Sequence, residues 1–151
     1  MSQRGGAVES HLRISDQEIY SDLIPRGKAD MILSIEPMEA LRYLPFLSPN
    51  GTIVTATEAF KNIPNYPDEE QLKEELGKSG TCIFVDAGAI AREVGNQKTY
   101  NIVMLGAASP YLGIAKDQLE WAISELFGSK GQDIVNMNIL AFNRGIEVKN
   151  A

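Results

Sequence analysis

Cysteine, histidine and tryptophan each occur once in this chain, as Cys82, His11 and Trp121. A lone cysteine cannot close an internal disulfide or supply the four thiolates of an iron–sulfur cluster, so the chain carries no cluster of its own. A lone histidine removes metal sites that need two or more imidazoles, and no Asp/Glu cluster has an obvious ligand spacing. Basic runs are also missing. With 20 acidic against 14 basic residues the net charge is -6, and no Lys- or Arg-rich face is present to neutralise phosphates. Nucleic acid and anionic membrane are therefore poor partners. No apolar run approaches the roughly 20 residues that span a bilayer. Arg4 and Glu9 interrupt a Gly-rich start that does not resemble a signal peptide. A cytoplasmic location is the expectation.

What is present suits one domain. A length of 151 residues with 44% hydrophobic residues builds one full core. No repeat, low-complexity tract or linker divides residues 1–151. From Ala7 to Ile14 apolar and polar residues alternate, which predicts a strand with one covered face. "SDQE" supplies a turn and "IYSDLI" returns, so an N-terminal hairpin is expected. The rhythm then changes to strand–helix units: "ADMILSIE" with "PMEALRYLPFL", closed by "SPNG"; "GTIVTATEAF" with "DEEQLKEELGKSG"; and "TCIFVDA" with "AGAIAREVG". Such alternation implies an α/β fold with a mostly parallel sheet covered on both faces. Further on, "TYNIVMLGAASPYLG" is apolar and rich in small residues, and "AKDQLEWAISELFG" reads as an amphipathic helix with Leu119, Trp121, Ala122, Ile123, Leu126 and Phe127. In a closing helix, Ile134, Met137, Leu140 and Ala141 fit one face.

Little in the chain carries chemistry by itself. As a nucleophile Cys82 needs a base, for which His11 is the one imidazole, but a cysteine at the start of an apolar strand reads first as a small core residue. Glu74 and Glu75 lie in a charge-rich helix and read as a solvated face. The dinucleotide fingerprint G-x-G-x-x-G is absent, and in "DAGAI" the plain reading of Asp86 is a helix cap. The first segment is more informative. Gly5 and Gly6 permit conformations and close approaches that a side chain blocks, and Arg4 beside them offers five donors to a carboxylate or phosphate. Gln3, Ser10, His11 and Arg13 add polar groups; the alternative is a flexible terminus followed by a hairpin's solvent face.

Four stretches, "MSQRGGAVESHLRIS", "IYSDLIPRGKADMILSIEPMEALRYLPFL", "NIVMLGAAS" and "NILAFNRG", closely resemble the gamma-type subunits of 2-oxoacid:ferredoxin oxidoreductases. The nearest branch is similar to the beta subunit of indolepyruvate ferredoxin oxidoreductases. The resemblance runs in order through nearly the whole chain. It implies a Rossmann-like three-layer domain of the pyruvate/ketoisovalerate ferredoxin oxidoreductase gamma type. In that family the SQRGG segment follows a first strand, a Gly-rich loop and a helix, so the resemblance also implies that the first βα unit is missing here. An open sheet edge or cleft is expected at its place, and a homo-oligomer could close it.

The resemblance further implies a non-catalytic small subunit in the thiamine diphosphate-dependent oxidative decarboxylation of a 2-oxoacid, with coenzyme A as co-substrate and ferredoxin as acceptor. The chain has no Gly-Asp-Gly for the diphosphate. Thiamine diphosphate, Mg and the iron–sulfur clusters are therefore expected in a large catalytic partner subunit, with ferredoxin engaged indirectly and the isolated chain inactive. No catalytic or metal residue is assigned to this chain. Gln3, Arg4, Gly5, Gly6, Ser10, His11 and Arg13 are the candidates that face the partner or a ligand; Asn101 and Gly106 are weaker ones, since small residues there also suit close packing. The alternatives are a repurposed interaction or small-ligand module of the same fold and, last, a self-sufficient enzyme.

Overall fold

The computed structural model describes residues 8–59 and 65–148. Its sheet is made of the three short apolar runs: β1 (Ala29–Ser34), β2 (Leu47–Ala56) and β3 (Thr81–Val85), all parallel, in the order β1-β2-β3. β1 pairs only with β2, so its outer edge is free among the described residues. Each strand feeds a helix: α1 (Pro37–Tyr43), α2 (Glu69–Lys78) and α3 (Ala87–Val94). Local chemistry starts all three. Pro37 stands in the first turn of α1, with the Glu36 carboxylate accepting from the Glu39 amide at 3.0 Å. Asp68 accepts from the Glu70 and Gln71 amides, and Asp86 accepts from the Ala89 amide at 2.9 Å, the cap expected from "DAGAI".

Strand alternation sorts the core into two layers. Val54, Ala56, Ile83 and Val85 face α3 and two later helices, α4 (Tyr100–Ala108) and α6 (Gln132–Ile146). Ile32 and Ile53 face α1 and α2 through Ala40 and Leu76. The expected three-layer arrangement follows, because a parallel sheet must cover both faces. α5 (Lys116–Gly128) lies outside α6, where the Asn143 amide group donates to Glu120 at 3.1 Å. α4 and α6 meet at two glycines: a Cβ on Gly106 would come within 2.1 Å of the Phe142 carbonyl oxygen, and one on Gly145 within 2.1 Å of that of Val103.

Four expectations need correction. Residues 8–24 contain no strand, so the N-terminal hairpin is not a ladder but two arms tied by side chains. Two strands without a covered face are marginal in water, and Val8, Leu12 and Ile14 here face solvent. "SPNG" does not close a unit; it lies inside β2, where the register slips between Ala29↔Leu47 and Met31↔Thr52 and absorbs the extra residues. Gly51 allows that irregularity, since a Cβ would sit 2.9 Å from the Ala29 carbonyl oxygen. Of the predicted stripe on α6 only Ala141 is buried, and the buried face is completed by Val135, Asn138, Phe142 and Gly145. On α5 only Ile123 is buried; Trp121 and Leu126 are exposed, because the helix covers α6 and has no second layer over it.

Candidate functional site

One cleft lies between the arm and the edge of β1 that is unpaired among the described residues. It has a volume of about 260 Å³ and runs along Ala29 to Ile35, with Val8 to His11 on one side and Tyr43 and Phe46 on another. The arm is held by side chains. His11 Nδ1 accepts from the Ile24 amide at 2.8 Å, and its ring meets Phe46 edge-on at 5.8 Å. This bond requires Nδ1 to be free of a proton and leaves Nε2 as the other ring position. Arg13 donates to the Ser21 carbonyl at 2.5 Å, closing the arm on itself. Glu9 beside the Tyr43 hydroxyl raises its pKa above the ordinary phenol value, assisted by partial burial and by the charge of Glu39.

Carboxylates dominate the far end of the cleft. Glu36 uses both oxygens, one on the Glu39 amide and one on the Tyr66 hydroxyl. Burial together with Glu36 raises the Tyr66 pKa well above its ordinary value. Ser34 Oγ donates to the Glu36 carbonyl and fixes the turn into α1. Glu39 has its Oε1 3.6 Å from Arg42, while its Oε2 is buried without a hydrogen-bond donor.

A second crevice opens beyond the carboxyl ends of the strands, the usual ligand position in such sheets. It is lined by Ile35, Glu58, Gly88, Arg92, Tyr100 and Asn101 among others. Glu58 lies on its wall: its carboxylate is so close over Gly88 that a Cβ there would be 1.9 Å away, and Arg92 stands 3.6 Å from its Oε1. Burial pushes the Tyr100 hydroxyl up to about 12, with Glu58 and Asp86 adding to the rise.

The candidate residues thus separate. Ser10 and His11 line the β1 cleft and Arg13 braces the arm beside it. Asn101 lines the second crevice, whereas Gly106 is buried at the α4–α6 crossing and serves packing. Gln3, Arg4, Gly5 and Gly6 lie outside the described residues. Glu9, Glu36, Glu39 and Tyr43 escaped sequence reasoning, because carboxylates scattered over a charged chain gain meaning only when the fold gathers them. Cys82 belongs to the apolar layer with Ile53 and Leu76, and burial pushes its thiol up to about 11, the opposite of an activated nucleophile.

The fold and site define a three-layer α/β domain with one cleft along β1 and a second beyond the carboxyl ends of its strands. A family model described as pyruvate ferredoxin/flavodoxin oxidoreductase matches residues 1–148, and the chain belongs to that family. Within it the chain is of the gamma-type small-subunit kind. It is 33% identical to the indolepyruvate oxidoreductase subunit IorB of Thermococcus kodakarensis, over 97% of this chain and 76% of that protein. It is 36% identical to the subunit of the same name from Archaeoglobus fulgidus, over 96% of this chain and 74% of that one. A solved 2-oxoglutarate:ferredoxin oxidoreductase from Magnetococcus marinus, with 2-oxoglutarate, coenzyme A and succinyl-CoA bound, shares the fold at a TM-score of 0.66 and 20% identity. That match covers 89% of this chain and 21% of the other.

Proposed function

We propose that this chain is the non-catalytic small subunit of an indolepyruvate-type 2-oxoacid:ferredoxin oxidoreductase. It supports the decarboxylation of a 2-oxoacid to an acyl-coenzyme A, with ferredoxin taking the electrons, and works in the cytoplasm. The match to subunits named IorB, over 96–97% of this chain and 74–76% of those proteins, supports the reading. The residues present do not suit thiamine diphosphate and its metal: the sequence has no Gly-Asp-Gly, and no group of three or more His, Cys, Asp or Glu among the described residues is placed to hold a metal ion. Those groups, with the clusters, belong to the large subunit in this reading. No helix among the described residues is long and apolar enough to cross a membrane.

Gln3 to Gly6, with Ser10, His11 and Arg13, face the large subunit or the approach to its thiamine. There Arg4 pairs with a substrate carboxylate, a coenzyme A phosphate or an acidic partner residue. Co-expression with the large subunit tests both statements. Co-purification and 2-oxoacid-dependent reduction of a ferredoxin or dye are expected for the pair and not for this chain alone. If Arg4→Ala leaves assembly and kinetics unchanged, the role of Arg4 fails; if no complex forms, the repurposed interaction module takes the place of the subunit reading.

A further inference from the structure

The arm of residues 8–24 has no ladder in reserve. Among the described residues no backbone hydrogen bond involves it, and two side-chain bonds tie its outward half to its return: Arg13 on the Ser21 carbonyl and His11 on the Ile24 amide. The two respond differently to acid. A guanidinium keeps its charge and its donors at every ordinary pH. An imidazole accepts only through a bare ring nitrogen, and His11 Nδ1 accepts from Ile24 at 2.8 Å. The Ile24 amide is a fixed donor, so a proton on Nδ1 sets two donors against each other and the bond is lost. Turning the half-buried ring over against Phe46 restores nothing, because both nitrogens of an imidazolium carry protons.

We propose that His11 is an acid-sensitive latch: neutral, it holds the two halves of the arm together; protonated, it lets them part while the sheet and its helices stay in place. The latch is internal to this chain and does not depend on the small-subunit reading. Neither His11 nor Ile24 belongs to the two core layers, so the sheet does not need their bond. Charged and titratable groups surround the ring. Glu9 and Arg13 lie on the arm itself, and Glu36, Glu39 and Tyr43 of α1 and its entry line the same cleft. Arg26 lies 6.0 Å from the centre of the Phe46 ring on which His11 packs. The carboxylates draw charge onto the imidazole and the arginines oppose it. They adjust the pH of release and not its direction, which follows from the count of donors and acceptors at the Ile24 amide. Imidazole is the side chain that ordinarily changes charge between pH 5 and 8, and this chain has one, so a single proton works the latch.

Nitrogen NMR of the chain, followed from pH 8 to pH 5.5, reads the ring and its partner together. At pH 8 His11 is expected as the neutral Nε2–H tautomer, with the Ile24 amide proton shifted downfield by its bond. Both signals should change with one midpoint as acid is added, while the amides of β1 to β3 hold their positions. Limited trypsin cleavage at Arg13 reads the opening of the arm. Scored against His11→Asn at each pH, it should be equal at pH 8 and about tenfold faster at pH 5.5, the effect of losing one hydrogen bond. Asn is the control because its side-chain oxygen can stand where Nδ1 does and does not titrate. A proton on Nδ1 at pH 8, or an Ile24 amide that does not follow the ring, overturns the latch. Acid-dependent cleavage of equal size in His11→Asn also overturns it and assigns the opening to the carboxylates around the ring. If His11→Asn is already loose at pH 8, the titration of the unaltered chain decides alone.

Discussion

At Gly106 and Gly145 two helices touch through their backbones, and no side chain fits between them. A Cβ at either position meets a carbonyl oxygen at 2.1 Å, so relief requires the helices to separate. Gly106→Ala and Gly145→Ala are each expected to cost about 3 kcal/mol, at the upper end of overpacking effects, in urea unfolding. Gly77→Ala is the contrasting case. With nothing within 4 Å of its Cβ inside α2, it should add roughly 0.5–1 kcal/mol through helix propensity. Cys82 offers a chemical check at the same scale. A thiol raised from 9.0 to about 11 by burial should alkylate about a hundredfold more slowly at pH 8 than a free thiol, from the thiolate fraction alone. Equal rates would mean that the β3 face of the core is open.

At the scale of elements, the sheet and its helices were legible because short apolar runs and the Asp86 cap act locally, while the Asp68 cap is seen only in the structure. Asp86→Ala should accordingly cost about 1 kcal/mol, read by thermal or urea unfolding. The arm was not legible as it stands. Its alternation has the period of a strand, yet whether a strand forms depends on a neighbour to pair with and a surface to cover. The arm instead hangs on His11, which accepts from the Ile24 amide and meets Phe46, and on Arg13, which bonds the Ser21 carbonyl. His11→Ala should therefore speed limited trypsin cleavage at Arg13 while leaving the global melting temperature nearly unchanged. A parallel fall in both would place the arm inside the cooperative fold. The same dependence on neighbours moved the buried face of α6. The backbone contact of Gly145 with α4 sets which face of α6 is buried, so Ala141 and Phe142 turn inward and Leu140 stays exposed.

For the whole molecule, alkaline stability is the broadest test. The native state keeps Tyr100 neutral up to about 12 and Cys82 up to about 11, against ordinary values of 10.0 and 9.0. The folded chain thus binds more protons than the unfolded one in this window, so stability falls as pH rises. The loss should begin near pH 9 and continue to about pH 12. Urea midpoints at stepped pH measure it, and Tyr100→Phe should lessen the upper part of the slope, to which the raised Tyr66 and Tyr43 also contribute. A midpoint that stays level from pH 9 to 12 would show both groups to be solvated in the native chain.

Family, fold class and capped strand–helix units were determined by the sequence itself, since they rest on local propensity, on period and on residues read in order. The single cysteine and the absence of Gly-Asp-Gly are likewise properties of composition, and they direct the cofactors of the proposed reaction to another subunit. Only the tertiary structure decided that Glu9, Glu36, Glu39 and Tyr43 gather around one cleft and that Gly106 and Gly145 face each other where α4 crosses α6. Each of these depends on residues far apart in the chain being brought within a few ångströms, and that placement is set by how the layers pack.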